Sequence, residues 1–362
     1  MVPMRRRTFL MTTLAAGAAA AAGDVQFTDL LPPGPGNPRN TEGSFVQLRN
    51  GDLLFAYTKF TGGGADHDSA HIAARTSRDE GRTWGREDQV LVSNNAAQNV
   101  MSVSFLRQSD RSILLFYLRK NSDADCQVQM RVSYDEARTW SPDSTCTTDP
   151  GYFGLNNDRA VRLKRGRILL PVSQRSEGSG RIPGKATVYL SDDGGRTWRR
   201  GKQTLDLPES HPAGLQEPGI VELKDGRLMM FCRTTLGSQY ICYSRDGGDT
   251  WSDPSPSSLA SPLSPASIKR IPKTGDLLAV WNDHSGPHGD GRTPLTVATT
   301  QDEGKTWVKR KNLRNDPAGW YCYTAIAFVR DHIVLAYNAG GAGLARLSRM
   351  ELARFPVAYL YA

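Results

Sequence analysis

One eight-residue pattern, S/T-x-D-x-G-x-T-W, occurs five times and leaves few folds open to this chain. It reads Ser77-Arg-Asp79-Glu-Gly81-Arg-Thr83-Trp84, Ser133-Tyr-Asp135-Glu-Ala137-Arg-Thr139-Trp140 and Ser191-Asp-Asp193-Gly-Gly195-Arg-Thr197-Trp198. Ser244-Arg-Asp246-Gly-Gly248-Asp-Thr250-Trp251 and Thr300-Gln-Asp302-Glu-Gly304-Lys-Thr306-Trp307 complete the set, with starts 56, 58, 53 and 56 residues apart. Asp and Gly at this spacing suit a tight turn between two strands, the carboxylate accepting backbone N–H bonds and Gly taking φ > 0. The Trp then covers the turn with a large apolar face.

A second repeat runs in step with the first. Polar turns followed by apolar, β-prone runs stand at Gly51-Asp-Leu-Leu-Phe, Ser112-Ile-Leu-Leu-Phe, Gly166-Arg-Ile-Leu-Leu, Gly226-Arg-Leu-Met-Met, Gly275-Asp-Leu-Leu-Ala and His332-Ile-Val-Leu-Ala. Strand-rich units repeating about every 56 residues predict an all-β chain, a six-bladed β-propeller with four-stranded antiparallel blades. Six such units use nearly everything after the first 23 residues, so residues 24–362 are expected to form a single catalytic domain.

Those first residues read as a removable leader. Arg5-Arg6-Arg7-Thr8-Phe9-Leu10 precedes an uncharged, Ala-rich stretch from Met11 to Gly23, and the run resembles a twin-arginine export signal. The mature protein is therefore expected in the periplasm or outside the cell. Removing Arg5, Arg6 and Arg7 from 45 Lys+Arg leaves 42 against 37 Asp+Glu, so the formal charge falls from +8 to +5. So mild an excess, with no block of like charges, argues against nucleic acid as a partner. No apolar run is long enough to span a bilayer. Apolar residues at 38% are too many for a disordered chain. Export permits disulfides: Cys232 with Cys242 across a hairpin and Cys126 with Cys146 are possible pairs, leaving Cys322 unpaired. Their spacing is no zinc signature, and neither a metal nor a cofactor is expected.

The six turns supply a register for the inner face. Nine residues before each turn residue stand Glu42, Val103, Asn157, Glu217, Ala266 and Tyr323, at the start of each first strand. Seven residues after stand Thr58, Arg119, Ser173, Arg233, Asn282 and Ala339. First strands of a propeller line the central channel, so one mouth is predicted to gather acids, arginines and a tyrosine into a concave polar site.

The five S-x-D-x-G-x-T-W runs resemble the Asp boxes of the sialidase (neuraminidase) superfamily, over about residues 40–340. The resemblance implies that the boxes are structural. It also implies a nucleophilic Tyr paired with a Glu, an Asp acid/base, and three arginines for a substrate carboxylate. Tyr323-Thr-Ala-Ile falls where that family has its Tyr-Ser motif, and Glu217 lies in the unit that supplies the Glu. Arg233 and Arg292 match two of the arginines, and Asp66-His67 stands eleven residues before the first box, where the acid/base Asp belongs. A Tyr ordinarily titrates near 10, so a neighbouring carboxylate has to take its proton.

The sequence departs from the family at the carboxylate clamp. Where the family has F-R-I-P, this chain has Thr41-Glu42-Gly43-Ser44, with Arg39 just upstream, and Thr58-Lys59-Phe60 stands where a second arginine is expected. Neither Lys nor Thr reproduces a bidentate Arg. The expectation is an exo-glycosidase acting as a monomer on a glycan or small sugar: sialic acid, a related acidic sugar, or a neutral one held by Glu42, Asn157 and Arg159. Arg119, His67, Asn282 and Asp283 are further candidates at the rim. Two alternatives stay open. One is a lyase using Tyr323 with His67 or His284 on a uronate, and the other is a carbohydrate-binding propeller without turnover.

Overall fold

A computed structural model describes residues 24–175, 183–207, 213–288 and 291–362; the expected leader, residues 1–23, lies outside them. The described chain is all-β, with a single short 3-10 turn at Val357–Leu360. Its strands form four four-stranded antiparallel sheets and one nine-stranded sheet. In the first, Arg39–Gln47, Leu53–Phe60, Ala70–Ser77 and Gln89–Val92 follow one another as a meander. The nine-stranded sheet contains two such meanders, one from Asn99–Arg107 and one running through Ile168–Arg175. Tyr152–Gly154 bridges them, pairing parallel with Cys126–Ser133 and antiparallel with Ile168–Arg175. Gln26–Leu31 adds to Met350–Pro356 at the edge of the last sheet, so the two ends of the chain share one ladder.

The repeated motif is now explained residue by residue. In the third copy, Ser191 Oγ donates to Asp193 Oδ1 at 2.8 Å and accepts from Gly195 N at 2.8 Å. Thr197 donates to the same carboxylate through N at 2.9 Å and through Oγ1 at 2.6 Å. Trp198 Nε1 donates to Gly195 O at 3.0 Å. The Thr197 hydroxyl, its amide and Ser191 together hold the Asp193 carboxyl down at about 2. Each repeated letter therefore has its own bond or its own face. Gly195 has φ 93°, and a Cβ there would meet Met130 Sδ at 2.9 Å. Gly248 and Gly304 face Leu169 and Met229 of the preceding strand groups in the same way. The boxes thus staple each hairpin to its predecessor. In the second copy Ala137 takes φ 65° and packs in the cluster with Val46 and Leu54.

The core is distributed accordingly. Among the described residues six apolar clusters join successive groups of strands, one of them reaching from Phe60 and Ala70 to Ile168 across three groups, and another joining Phe55 and Tyr57 to Val334 and Leu352, which links the first group to the last. The five cysteines are buried free thiols. Cys232 stands opposite Tyr240 and Cys242 opposite Met230, so the pair anticipated across this hairpin is diagonal rather than facing.

Candidate active site

The inner strands of four of these groups break register at corresponding points: between Thr41 and Ser44, Met101 and Ser104, Gln216 and Gly219, and Cys322 and Ala325. The first residue of each break is left-handed, with φ 53° at Glu42, 57° at Ser102, 48° at Glu217 and 55° at Tyr323. A bulge lets two residues oppose one and re-aims a side chain. Non-Gly residues in this conformation cost of order 1 kcal/mol each and persist only where their surroundings fix them. Here the surroundings do so. Gly43 and Gly219 have no room for a Cβ, which would strike the Phe55 and Phe231 rings. Asn157 Nδ2 donates to Gly43 O at 2.8 Å and to Tyr323 O at 3.1 Å. Asp158 accepts from Ser44 Oγ and Ile326 N at 2.9 Å each.

The bulged side chains meet in one central cavity, lined by Glu42, Ser102, Glu217 and Tyr323 and joined there by Asp66. Tyr323 Oη donates to Glu217 Oε1 at 3.2 Å. Arg233 Nη1 donates to Glu217 Oε2 at 2.9 Å, while its Nε and Nη2 donate to Gln216 Oε1. Burial, and then the Glu217 charge, push the Tyr323 phenol above its usual 10, against the pull of Arg292 and Arg233. The Arg292 guanidinium lies 5.3 Å from the Tyr323 ring and 5.2 Å from the Trp320 ring. Glu42 is buried and hydrogen-bonded to Ser102 Oγ. Desolvation pushes its carboxyl up to about 7, although Arg39, at 3.7 Å, and Ser102 oppose this. Arg39 instead gives its short contact, 2.6 Å, to Asp66 Oδ1. Desolvation raises Asp66, but Arg39, followed by Lys120 and Arg175, outweighs it and holds the carboxyl below the usual range.

The other candidates separate. Asn157 braces strands, and Arg159 is buried against Phe231 with Nη2 on Ala266 O. Asn282 bonds Ser264 and Pro294, and Asp283 pairs with Arg310 at 3.1 Å. His67 is exposed and does not line the cavity.

The register also needs a correction in the second unit. The left-handed turn residue there is Arg111, φ 71°, not Ser112, so the bulge falls at Ser102 rather than Val103. One residue of slip changes the face of a strand: Leu118 and Lys120 line the cavity, while Arg119 does not. Sequence reading also missed Arg175, Asn156 and Tyr152, which line the same wall. With the turn placed on Arg111, the same seven-residue offset gives Leu118, which lines the cavity, and Lys120 follows two residues later on the same strand face. Tyr152 sits on a three-residue strand that no repeat marks.

Relatives share this architecture. The family model of the BNR repeat-like domain matches residues 51–335. A sialidase of Micromonospora viridifaciens is 26% identical over 90% of the chain, and the chain spans only 57% of that protein's length. Among solved structures, a leech intramolecular trans-sialidase superposes with a TM-score of 0.71 at 14% identity, over 96% of this chain and 72% of that one. A Trypanosoma rangeli sialidase gives 0.70 at 15%, over 94% and 60%. These neighbours carry the β-propeller fold, and among the described residues no helix is long and apolar enough to cross a membrane. With the repeat, the fold and the family match agreeing over most of its length, this chain belongs to the BNR-repeat sialidase superfamily.

Proposed function

We propose that the chain is a sialidase-like, retaining exo-glycosidase on a six-bladed propeller, the nine-stranded sheet being two blades joined through Tyr152–Gly154. The contact that carries this reading is Tyr323 Oη on Glu217 Oε1 at 3.2 Å. The phenol is too basic to ionise alone at neutral pH, so attack on the anomeric carbon transfers its proton to Glu217 as the bond forms. Arg233 occupies the other carboxylate oxygen and leaves Oε1 turned to the tyrosine. In the first step Tyr323 Oη bonds the anomeric carbon, the glycosidic C–O bond breaks, and protonated Asp66 gives its proton to the leaving oxygen. In the second step Asp66 takes a proton from water, which displaces the sugar from Tyr323, and Glu217 returns the phenolic proton. A tyrosine nucleophile is the known exception to two-carboxylate glycosidases. Because Arg39 depresses Asp66, the protonated acid is most abundant on the acid side of neutrality.

Export through residues 1–23, action as a monomer, and a glycan or free sugar as substrate belong to the same proposal. The test is a panel of aryl glycosides, assayed with the mature protein and with Tyr323→Phe and Asp66→Ala. Chromophore release is expected from at least one glycoside, with a loss of about 1,000-fold or more in Tyr323→Phe. Full activity in either variant overturns the mechanism. An unsaturated product absorbing in the ultraviolet assigns elimination instead.

A further inference from the structure

The cavity has two unlike walls. Around Tyr323 stand Glu42 and Glu217, and the two nearby arginines are engaged elsewhere: Arg233 with Glu217 and Gln216, Arg292 between Trp320 and Tyr323. Neither of these arginines lines the cavity. The cations that do line it are Lys120 and Arg175, one each from the two halves of the nine-stranded sheet. They flank the Tyr152 ring, with Lys120 Nζ at 5.7 Å and Arg175 Cζ at 4.8 Å from its centroid. Lys120 is 5% exposed, and its carboxylate neighbour, Asp123, is distant at 3.7 Å and mostly in solvent. Among the described residues Arg175 has no ion-pair partner. Beside them Asn156, also 5% exposed, lines the cavity with an Nδ2 that no group among the described residues accepts. A buried amide donor without a partner is costly; with Asn156 Oδ1 already accepting from Asn157 N at 2.8 Å, what remains free here is the donors of a lysine, an arginine and Asn156 Nδ2, a set suited to an oxyanion.

The position of that wall constrains the sugar. In a 2-ulosonic acid the carboxylate is bonded to the anomeric carbon itself, so it would lie beside Tyr323, against Glu42 and Glu217. In a hexuronide the carboxylate hangs from C5, one ring oxygen removed from the anomeric carbon, so it reaches beyond the acids that surround the point of attack. Given the glycosidase reading above, we propose that the substrate is a terminal hexuronide whose carboxylate is held by Lys120, Arg175 and Asn156. Lys120 and Arg175, which also draw down Asp66, then take the anion, and Glu42 and Glu217 face the neutral, cation-like anomeric carbon.

Calorimetric titration tests this with D-glucuronate and D-galacturonate, their neutral parents D-glucose and D-galactose, and N-acetylneuraminate. The proteins are the wild type, Arg175→Gln at an exposed position, and the isosteric Asn156→Asp. Saturable uronate binding is expected, about ten-fold or more weaker in both variants, with thermal midpoints retained and parent-sugar binding unmoved. Uronate binding unchanged in both variants overturns the proposal, as does tighter binding of N-acetylneuraminate than of either uronate. The two readings fail separately. If no aryl glycoside is cleaved but uronate binding depends on Arg175, the subsite stands and the glycosidase falls. If cleavage depends on Tyr323 and is indifferent to Arg175→Gln, the glycosidase stands and the subsite falls.

Discussion

Replacing Glu42 by Gln tests how the cavity handles its own charge. Glu42 is 5% exposed, and burial pushes its carboxyl from 4.5 up to about 7 in spite of Arg39 and Ser102. In the unfolded chain it titrates near the ordinary value. Between these two limits the native state binds more protons than the unfolded state, so stability falls as pH rises through this window. Moving from 4.5 to about 7 corresponds to about 3 kcal/mol, absent as a penalty below the lower limit and fully imposed above the upper one. Most of it develops between pH 5 and pH 8. Gln has no proton to lose, and its carbonyl still accepts from Ser102. Urea unfolding of wild type and Glu42→Gln at both pH values should therefore give a stability difference that grows by about 2–3 kcal/mol in favour of the variant at pH 8. The comparison cancels every other titrating group common to both proteins. If the two stabilities stay parallel across the window, Glu42 does not titrate there, and it stands charged beside Tyr323 under all conditions.

Other perturbations address the remaining links. Asp193→Ala removes the acceptor of Ser191 and Thr197 and should lower stability by about 1–2 kcal/mol by urea unfolding, with KM unchanged; a shifted KM would connect the boxes to the site. Gly219→Ala drives a Cβ into Phe231 beside the Glu217 bulge and should cost about 1–3 kcal/mol, together with a fall in kcat; a silent substitution would mean that the bulge is not held by this packing. Arg39→Gln removes the contact that lowers Asp66, so the falling limb of the pH–rate profile should move to higher pH. An unmoved limb would assign that ionisation to another group.

The architecture was legible because its determinants are local and repeated. Each Asp box carries its own hydrogen-bond circuit, so five copies announce five hairpins without knowledge of anything distant. Glu42, Glu217 and Tyr323 were legible for the same reason, as they stand at a fixed offset from a turn. That offset failed where the turn was misplaced by one residue, at Ser102 and Leu118, because strand faces alternate. It also failed where polar rank was taken for exposure to the cavity: Asn157, Arg159, Asn282 and Asp283 spend their polar atoms on backbone and neighbours. Arg175 stands two residues beyond Ser173 on the same strand face, past the single offset taken, and Asn156 could not be found this way, since it follows Tyr152–Gly154, a bridging strand that no repeat marks.

The two walls of the cavity come from different strand groups, and this has a consequence for how specificity changes in such a fold. Tyr323 and Glu217 are set by bulges whose φ values, 55° and 48°, are fixed by Asn157, Gly219 and the strand packing behind them. Lys120 and Arg175 lie at the far ends of two second strands and make no bond to that bracing. A substitution on the cationic wall therefore leaves the strained pair where it is, and a substitution in the bracing displaces Tyr323 and Glu217 themselves. The replacement of an arginine by Glu42 on the acidic wall follows the same division. Under the proposed reading it disfavours a carboxylate at the anomeric carbon, while Arg39, turned instead to Asp66 at 2.6 Å, keeps a cation beside the acids without lining the cavity.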